Sequence, residues 1–234
     1  MSMGWFAKAS HDSILEAACR VKYALGGAWA SRMKTRMARE ENNEQLIGRA
    51  EEIERCQTIV QPGTLTTVLG PAGVGKTTLV DAYAESSAQR MRAYVHLADA
   101  VDHASVVQNV AQALGVAGRA ARVDLTQQIA RTLESMNTGV VILDNAEHVL
   151  EILTEVLEIW RASAPSIGWL ITSQARLHAS GEQLIDLSPL SLPDGESVES
   201  IRASDAVQLL LARIQAVRTL PDPMSHETWL TLSR

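Results

Sequence analysis

Leu65-Thr66-Thr67-Val68-Leu69-Gly70-Pro71-Ala72-Gly73-Val74-Gly75-Lys76-Thr77-Thr78-Leu79 is the stretch whose reading decides the fold. Residues 65–69 are β-branched or apolar and lie between Pro62-Gly63 and Gly70, the pattern of a short buried strand. The segment from Gly70 to Thr77 has the spacing Gly-x-x-x-x-Gly-Lys-Thr, and a helical pattern follows over 77–88. Strand, glycine-rich turn and helix in that order predict a phosphate-binding loop. Gly70, Gly73 and Gly75 place no Cβ in the way, so consecutive amides from Gly73 to Thr78 can point at the same oxygens. The helix N-terminus adds its partial positive charge. Lys76 is expected to reach the β- and γ-phosphates, Thr77 to ligate Mg²⁺, and Thr78 to lie near the α-phosphate. A nucleoside triphosphate, ATP with Mg²⁺, is therefore the expected ligand of Gly70, Pro71, Ala72, Gly73, Val74, Gly75, Lys76, Thr77 and Thr78. A turn that merely capped a helix would need neither the lysine nor the hydroxyl.

Outward from this stretch, buried-strand runs recur at 93–97, 140–143, 169–172 and 183–187, with helical patterns at 50–60, 103–114, 124–136 and 147–161. The β-α alternation predicts an α/β fold, a mostly parallel, doubly wound five-stranded sheet with helices on both faces. The main domain is expected over 46–195. Residues 1–45 read as a basic helical extension and linker, and 196–234 as the start of a C-terminal helical segment. In the latter, Ser204 is a candidate N-cap before the stripe Val207, Leu210, Leu211, Ile214 and Val217. A last helical pattern begins near Met224.

The 234 residues, 46% hydrophobic and 21% charged, suit a globular domain with a real core. One Phe and three Tyr leave that core to Ala, Val, Leu and Ile, which favours helices packed on a parallel sheet over an all-β fold. Cys19 and Cys56 have no metal-ligand spacing and are too few for a disulfide framework, so a reducing, cytoplasmic setting is expected. Ala17-Ala18-Cys19 resembles the end of a lipoprotein signal, but Asp12 and Glu16 and the lack of a long apolar run argue against export. No uncharged apolar run is long enough to predict a membrane span. The net charge of −6 is uneven: residues 1–39 hold seven Lys/Arg against two Asp/Glu. Arg20, Lys22, Arg32, Lys34, Arg36 and Arg39 could face nucleic acid or an acidic partner, or form the solvated side of a connecting helix. The lack of interleaved aromatics beyond Trp29 supports no direct DNA contact.

A second acidic site is expected where Val140-Val141-Ile142-Leu143 ends on Asp144, because ligands collect at the carboxyl ends of strands in open α/β sheets. Asp144 could hold Mg²⁺, or N-cap the next helix with Glu147 completing a capping box. Asn145 cannot accept a proton at neutral pH, so either Glu147 orients the attacking water or hydrolysis is slow. Asp144 and Glu147 are thus the candidate catalytic residues. Thr172-Ser173-Gln174-Ala175-Arg176 follows another strand, and its side chains either sense the γ-phosphate or belong to an ordinary loop.

Together these segments resemble the signal-transduction ATPases with numerous domains (STAND), which share the three-layer P-loop NTPase sandwich, and in particular the ATPase module of bacterial LuxR-type and antibiotic-regulatory-protein-like transcriptional regulators. The resemblance covers about residues 46–234. It rests on Leu46-Ile47-Gly48-Arg49-Ala50-Glu51, the loop itself, Val95-His96-Leu97-Ala98, Ala113-Leu114-Gly115-Val116, Leu143-Asp144-Asn145-Ala146-Glu147-His148-Val149-Leu150, Thr172-Ser173-Gln174, Gly181-Glu182 and Leu187-Ser188-Pro189-Leu190. It implies strand order 5-1-4-3-2, Arg49 at the base and ribose end of the nucleotide, and a switch in which ATP replaces ADP to permit self-association or partner binding. Where the family often carries Thr-Ser-Arg this chain has Gln174, so Gln174 or Arg176 would have to sense the γ-phosphate. The family continues with a helical lid, whose start 196–234 would be. Other readings are an AAA+-like remodelling or DNA-loading ATPase, and a degenerate interaction scaffold.

Overall fold

The computed structural model describes residues 46–116 and 124–215, together with Trp229 and Thr231. The basic segment, the linker, Val217 and the start of the last helical pattern lie outside the described residues. The elements are α1 (Ala50–Ile59), β1 (Leu65–Leu69), α2 (Lys76–Ser86), β2 (Met91–His96), α3 (His103–Ala113), α4 (Leu125–Ser135), β3 (Gly139–Asp144), α5 (Leu150–Ser163), β4 (Ile167–Ser173), β5 (Glu182–Asp186), α6 (Val198–Ala203) and α7 (Asp205–Gln215).

The five strands form one sheet in the order β2-β3-β4-β1-β5, and every pairing is parallel. This is the order implied by the resemblance, read from the other edge. Side chains alternate between two cores because the strand period is two. Val141, Leu143, Trp169 and Ile171 face α3, α4 and α5, packing with Val106, Val110, Ile129, Leu133, Leu153 and Trp160. Val140, Ile142 and Leu170 face the other way, onto Cys56 of α1 and Leu79, Val80 and Tyr83 of α2. Near-continuous apolar strands are what burial on both faces requires. Trp160 stacks on Trp169 with ring centroids 5.9 Å apart and donates its indole N–H to the Thr126 carbonyl at 3.1 Å.

The pairing register sets the site. Leu69 lies opposite Ser173 and Asp186, and His96 opposite Asp144, so these strand ends and the turns that follow share one edge of the sheet.

Two elements depart from the pattern read in the sequence. The helix expected over 147–161 runs from Leu150 to Ser163, because Asn145 takes a left-handed φ of 67° and a turn closed by Val149 N–H to the Ala146 carbonyl (3.0 Å) intervenes. A six-residue helix, α6, precedes α7, N-capped by Ser197, whose hydroxyl accepts from the Ser200 N–H. Ser204 does sit just before α7, but its hydroxyl donates to the Ile201 carbonyl. The α6–α7 segment has its own small core of Ile201, Val207 and Trp229, with the Arg202 guanidinium 4.6 Å from the Trp229 ring.

Cys56 lies on the sheet-facing side of α1, and burial pushes its thiol up to about 12, with the Arg55 charge opposing and Glu52 adding to the shift. At pH 8 its thiolate fraction is then on the order of one in ten thousand. In a chain carrying Cys19→Ser, Ellman's reagent at pH 8 is expected to release no colour from the native protein and one equivalent after denaturation. A measurable native reaction would show that α1 opens from the sheet.

Candidate functional site

The loop between β1 and α2 is shaped by its glycines. Gly73 and Gly75 adopt φ of 77° and 103°, which L side chains rarely take, and Gly75 occupies the N-cap of α2. No side chain caps that helix, and its first backbone bond runs from the Leu79 N–H to the Gly75 carbonyl at 2.9 Å. The amides of the first turn are thus left for an anion. Gly70 has a steric reason: a Cβ there would sit 2.7 Å from the Leu187 carbonyl and 2.9 Å from Val74 Cγ1.

Lys76 is 8% exposed, and its ammonium donates to the carbonyls of Gly70 (2.9 Å) and Pro71 (3.1 Å). The charge is thereby held folded over the loop. One residue on, the Thr77 hydroxyl donates to Asp144 at 2.9 Å from Oδ1, with Oδ2 at 3.2 Å. The two metal candidates, 67 residues apart in sequence, are in direct contact.

Asp144 is 3% exposed at the end of β3. Thr172 of β4 donates its hydroxyl to Oδ1 at 2.7 Å, and His96 of β2 places Nδ1 3.2 Å from Oδ2. Burial alone would raise its pKa, but the hydrogen bonds from His96, Thr172 and Thr77 and the charge of His96 outweigh that and hold the carboxyl below its usual range. Asp144 is therefore an oriented, ionised carboxylate. The capping reading fails: α5 begins at Leu150 with Val149 at its N-cap, and no side chain caps it.

Thr172 also accepts the Asn145 N–H at 2.8 Å, and its carbonyl accepts from Ala146. It thereby pins the turn that follows Asp144. Neither Thr172 nor His96 was singled out from the sequence as a partner of Asp144. The available signal was that both stand at predicted strand ends flanking that of Asp144.

Glu147 accepts from the Gln174 amide at 3.0 Å through Oε1, while Oε2 is buried and meets no donor among the described residues. Gln174 and Arg176 are both exposed beyond the end of β4. Arg49 is buried and bonded to Glu52 and to the carbonyls of Val74 and Ser188.

An oxygen-only set, the Thr77 hydroxyl and the Asp144 carboxylate, suits Mg²⁺, which takes one or two protein ligands and completes its shell with phosphate oxygens and water. Among the described residues no group of three or more His, Cys, Asp or Glu is arranged to hold a metal by itself. No described helix is long and apolar enough to cross a membrane.

A family model described as "AAA domain" matches residues 60–178. No curated protein matches the sequence. Among solved structures, Cdc6p from Pyrobaculum aerophilum is similar at 16% identity and a TM-score of 0.53, over 80% of this chain and 54% of that one. The Drosophila ORC bound to DNA matches at 15% and 0.50, over 76% of this chain and 52% of that one. A STAND protein with a tetratricopeptide repeat sensor from Pyrococcus horikoshii matches at 16% and 0.49, over 81% of this chain and 28% of that one. The likeness is one of fold, and the chain spans only 28% to 54% of these proteins' own length.

Proposed function

The chain belongs to the AAA domain family, and on that premise we propose that it is a Mg²⁺-dependent, ATP-binding switch module of a STAND-type signalling or transcriptional regulator, with slow hydrolysis. The observation that carries this is the contrast between an intact binding apparatus and an idle base. Gly73, Gly75, Lys76, Thr77 and Asp144 are assembled at one sheet edge. Asn145 stands where a proton acceptor would be needed, Glu147 Oε1 accepts from Gln174, and Oε2 is buried.

When ATP arrives, the Lys76 ammonium exchanges the Gly70 and Pro71 carbonyls for phosphate oxygens, and the first-turn amides of α2 take the rest of the phosphate charge. Thr77 and Asp144 present the oxygens for Mg²⁺, which when bound neutralises phosphate charge and polarises the γ-phosphoryl group. Thr172 and His96 keep the carboxylate turned toward Thr77. A general base must turn an oxygen to the attacking water, and Glu147 has one oxygen buried and the other shared with the Gln174 amide. ATP therefore persists, and the exchange of ADP for ATP sets whether the module associates with itself or a partner.

Steady-state hydrolysis tests this. The protein is expected to turn over below about one ATP per second, without dependence on protein concentration. Gln174→Ala, by freeing Glu147, should raise the rate by about 10-fold or more, and Glu147→Gln in the same chain should cancel that gain. Fast turnover that rises with protein concentration would replace the switch with a remodelling ATPase.

A further inference from the structure

We infer that Arg49 is a positioning residue that braces the phosphate-binding loop from behind and ties it to α7, an inference that rests on the reading of Gly70–Thr78 as a nucleotide site. Arg49 is 6% exposed. Nη1 donates to Glu52 Oε1 at 2.8 Å, and Nη2 donates to the carbonyls of Ser188 (2.7 Å) and Val74 (3.2 Å). A guanidinium is a rigid fork of donors with no acceptor, and here it is spent on protein oxygens.

Val74 is the link the loop most needs held. It lies between the two left-handed glycines, where the backbone is freest, and the local tie from its N–H to the Pro71 carbonyl is long at 3.4 Å. In a trans peptide the C=O and the following N–H point opposite ways. Drawing the Val74 carbonyl toward Arg49 therefore turns the Gly75 N–H away from Arg49. Arg49 sets the direction of a loop amide without meeting the ligand.

The other end of the brace leads to the C-terminal helices. Ser188 follows Leu187, whose N–H donates to the Leu69 carbonyl at 2.7 Å. Three residues on, the Ser191 hydroxyl donates to Asp205 Oδ2 (2.9 Å) and accepts the Asp205 N–H (3.0 Å) at the start of α7. Asp205 in turn presses on Gly48: a Cβ at Gly48, where φ is 67°, would lie 2.5 Å from Asp205 Cγ. Gly48 immediately precedes Arg49. The contacts thus close a circuit from the loop through Arg49 and Ser188 to Asp205 and back to Gly48.

Binding of ATP, GTP and inorganic tripolyphosphate, each with Mg²⁺, to the wild-type chain, Arg49→Ala and Arg49→Lys separates a brace from a base contact. Arg49→Ala is expected to weaken all three by a common factor of roughly 10-fold or more and to leave the ATP-to-GTP ratio unchanged. Arg49→Lys should fall between, since an ammonium lacks the fork that reaches Glu52 with one nitrogen and both carbonyls with the other, and it keeps the test usable if the alanine variant does not fold. A loss confined to ATP, a changed ATP-to-GTP ratio, or no loss in either variant would overturn the inference alone. A wild-type chain that binds none of the three would overturn the nucleotide reading, and this inference with it.

Discussion

Lys76→Ala is expected to weaken ATP binding by at least about 100-fold in calorimetry while leaving the far-ultraviolet circular dichroism unchanged. The ammonium is already held over the loop, bonded to Gly70 and Pro71, so it need only turn to reach phosphate. Two charge-assisted contacts at roughly 1.5–3 kcal/mol each account for that loss. The fold should tolerate the change, because alanine is the best helix former at the start of α2 and water can replace the ammonium at two loop carbonyls. Lys76→Met keeps the aliphatic stem and removes the charge. Equal losses in Lys76→Ala and Lys76→Met would assign the effect to charge, and unchanged affinity in both would refute the site.

The loop was legible in the sequence because its information is local: glycines, lysine and threonine at fixed offsets specify a backbone path and a charge within eight residues. The strands were legible for a related reason, since burial on both faces forces the runs at β3 and β4. The start of α5 was not. The left-handed Asn145 redirects the backbone without altering the apolar pattern on either side. Arg49 was illegible in a different way: besides Glu52, three residues on, its partners are backbone carbonyls 25 and 139 residues away, and carbonyls leave no mark in a sequence. The same holds for the Gln174–Glu147 pair and for Thr172 and His96 around Asp144, which meet only because parallel registers align four strand ends. Family resemblance implies a place for Arg49 at the base and ribose end of the nucleotide, and the structure shows it bonded to the Val74 carbonyl of the loop.

Asp144→Asn gives the second large effect, and it separates metal binding from scaffold. Asparagine preserves shape and still accepts from Thr172 and Thr77 at the Oδ1 position, but it carries no charge. In EDTA, ATP affinity should be unchanged or slightly higher, because a negative charge beside the polyphosphate has gone. With Mg²⁺ the wild-type chain should gain affinity and the variant should lack roughly 10- to 100-fold of that gain, since an uncharged amide oxygen is a poorer partner for a hard divalent cation. An equal Mg²⁺ gain in both would remove Asp144 from the metal site. Stability gives an independent readout. The folded pKa of Asp144 is lowered, so the folded state binds fewer protons than the unfolded chain. The ionised carboxylate therefore contributes stability at pH above the unfolded value of about 3.9, and that contribution is lost as pH falls through the folded value. In metal-free urea titrations, the stability difference between wild type and Asp144→Asn should shrink as pH falls below about 4. A difference that widened below that pH would mean that Thr77, Thr172 and His96 do not favour the charged form. The hydrogen bonds read here as orienting the carboxylate would then have another role.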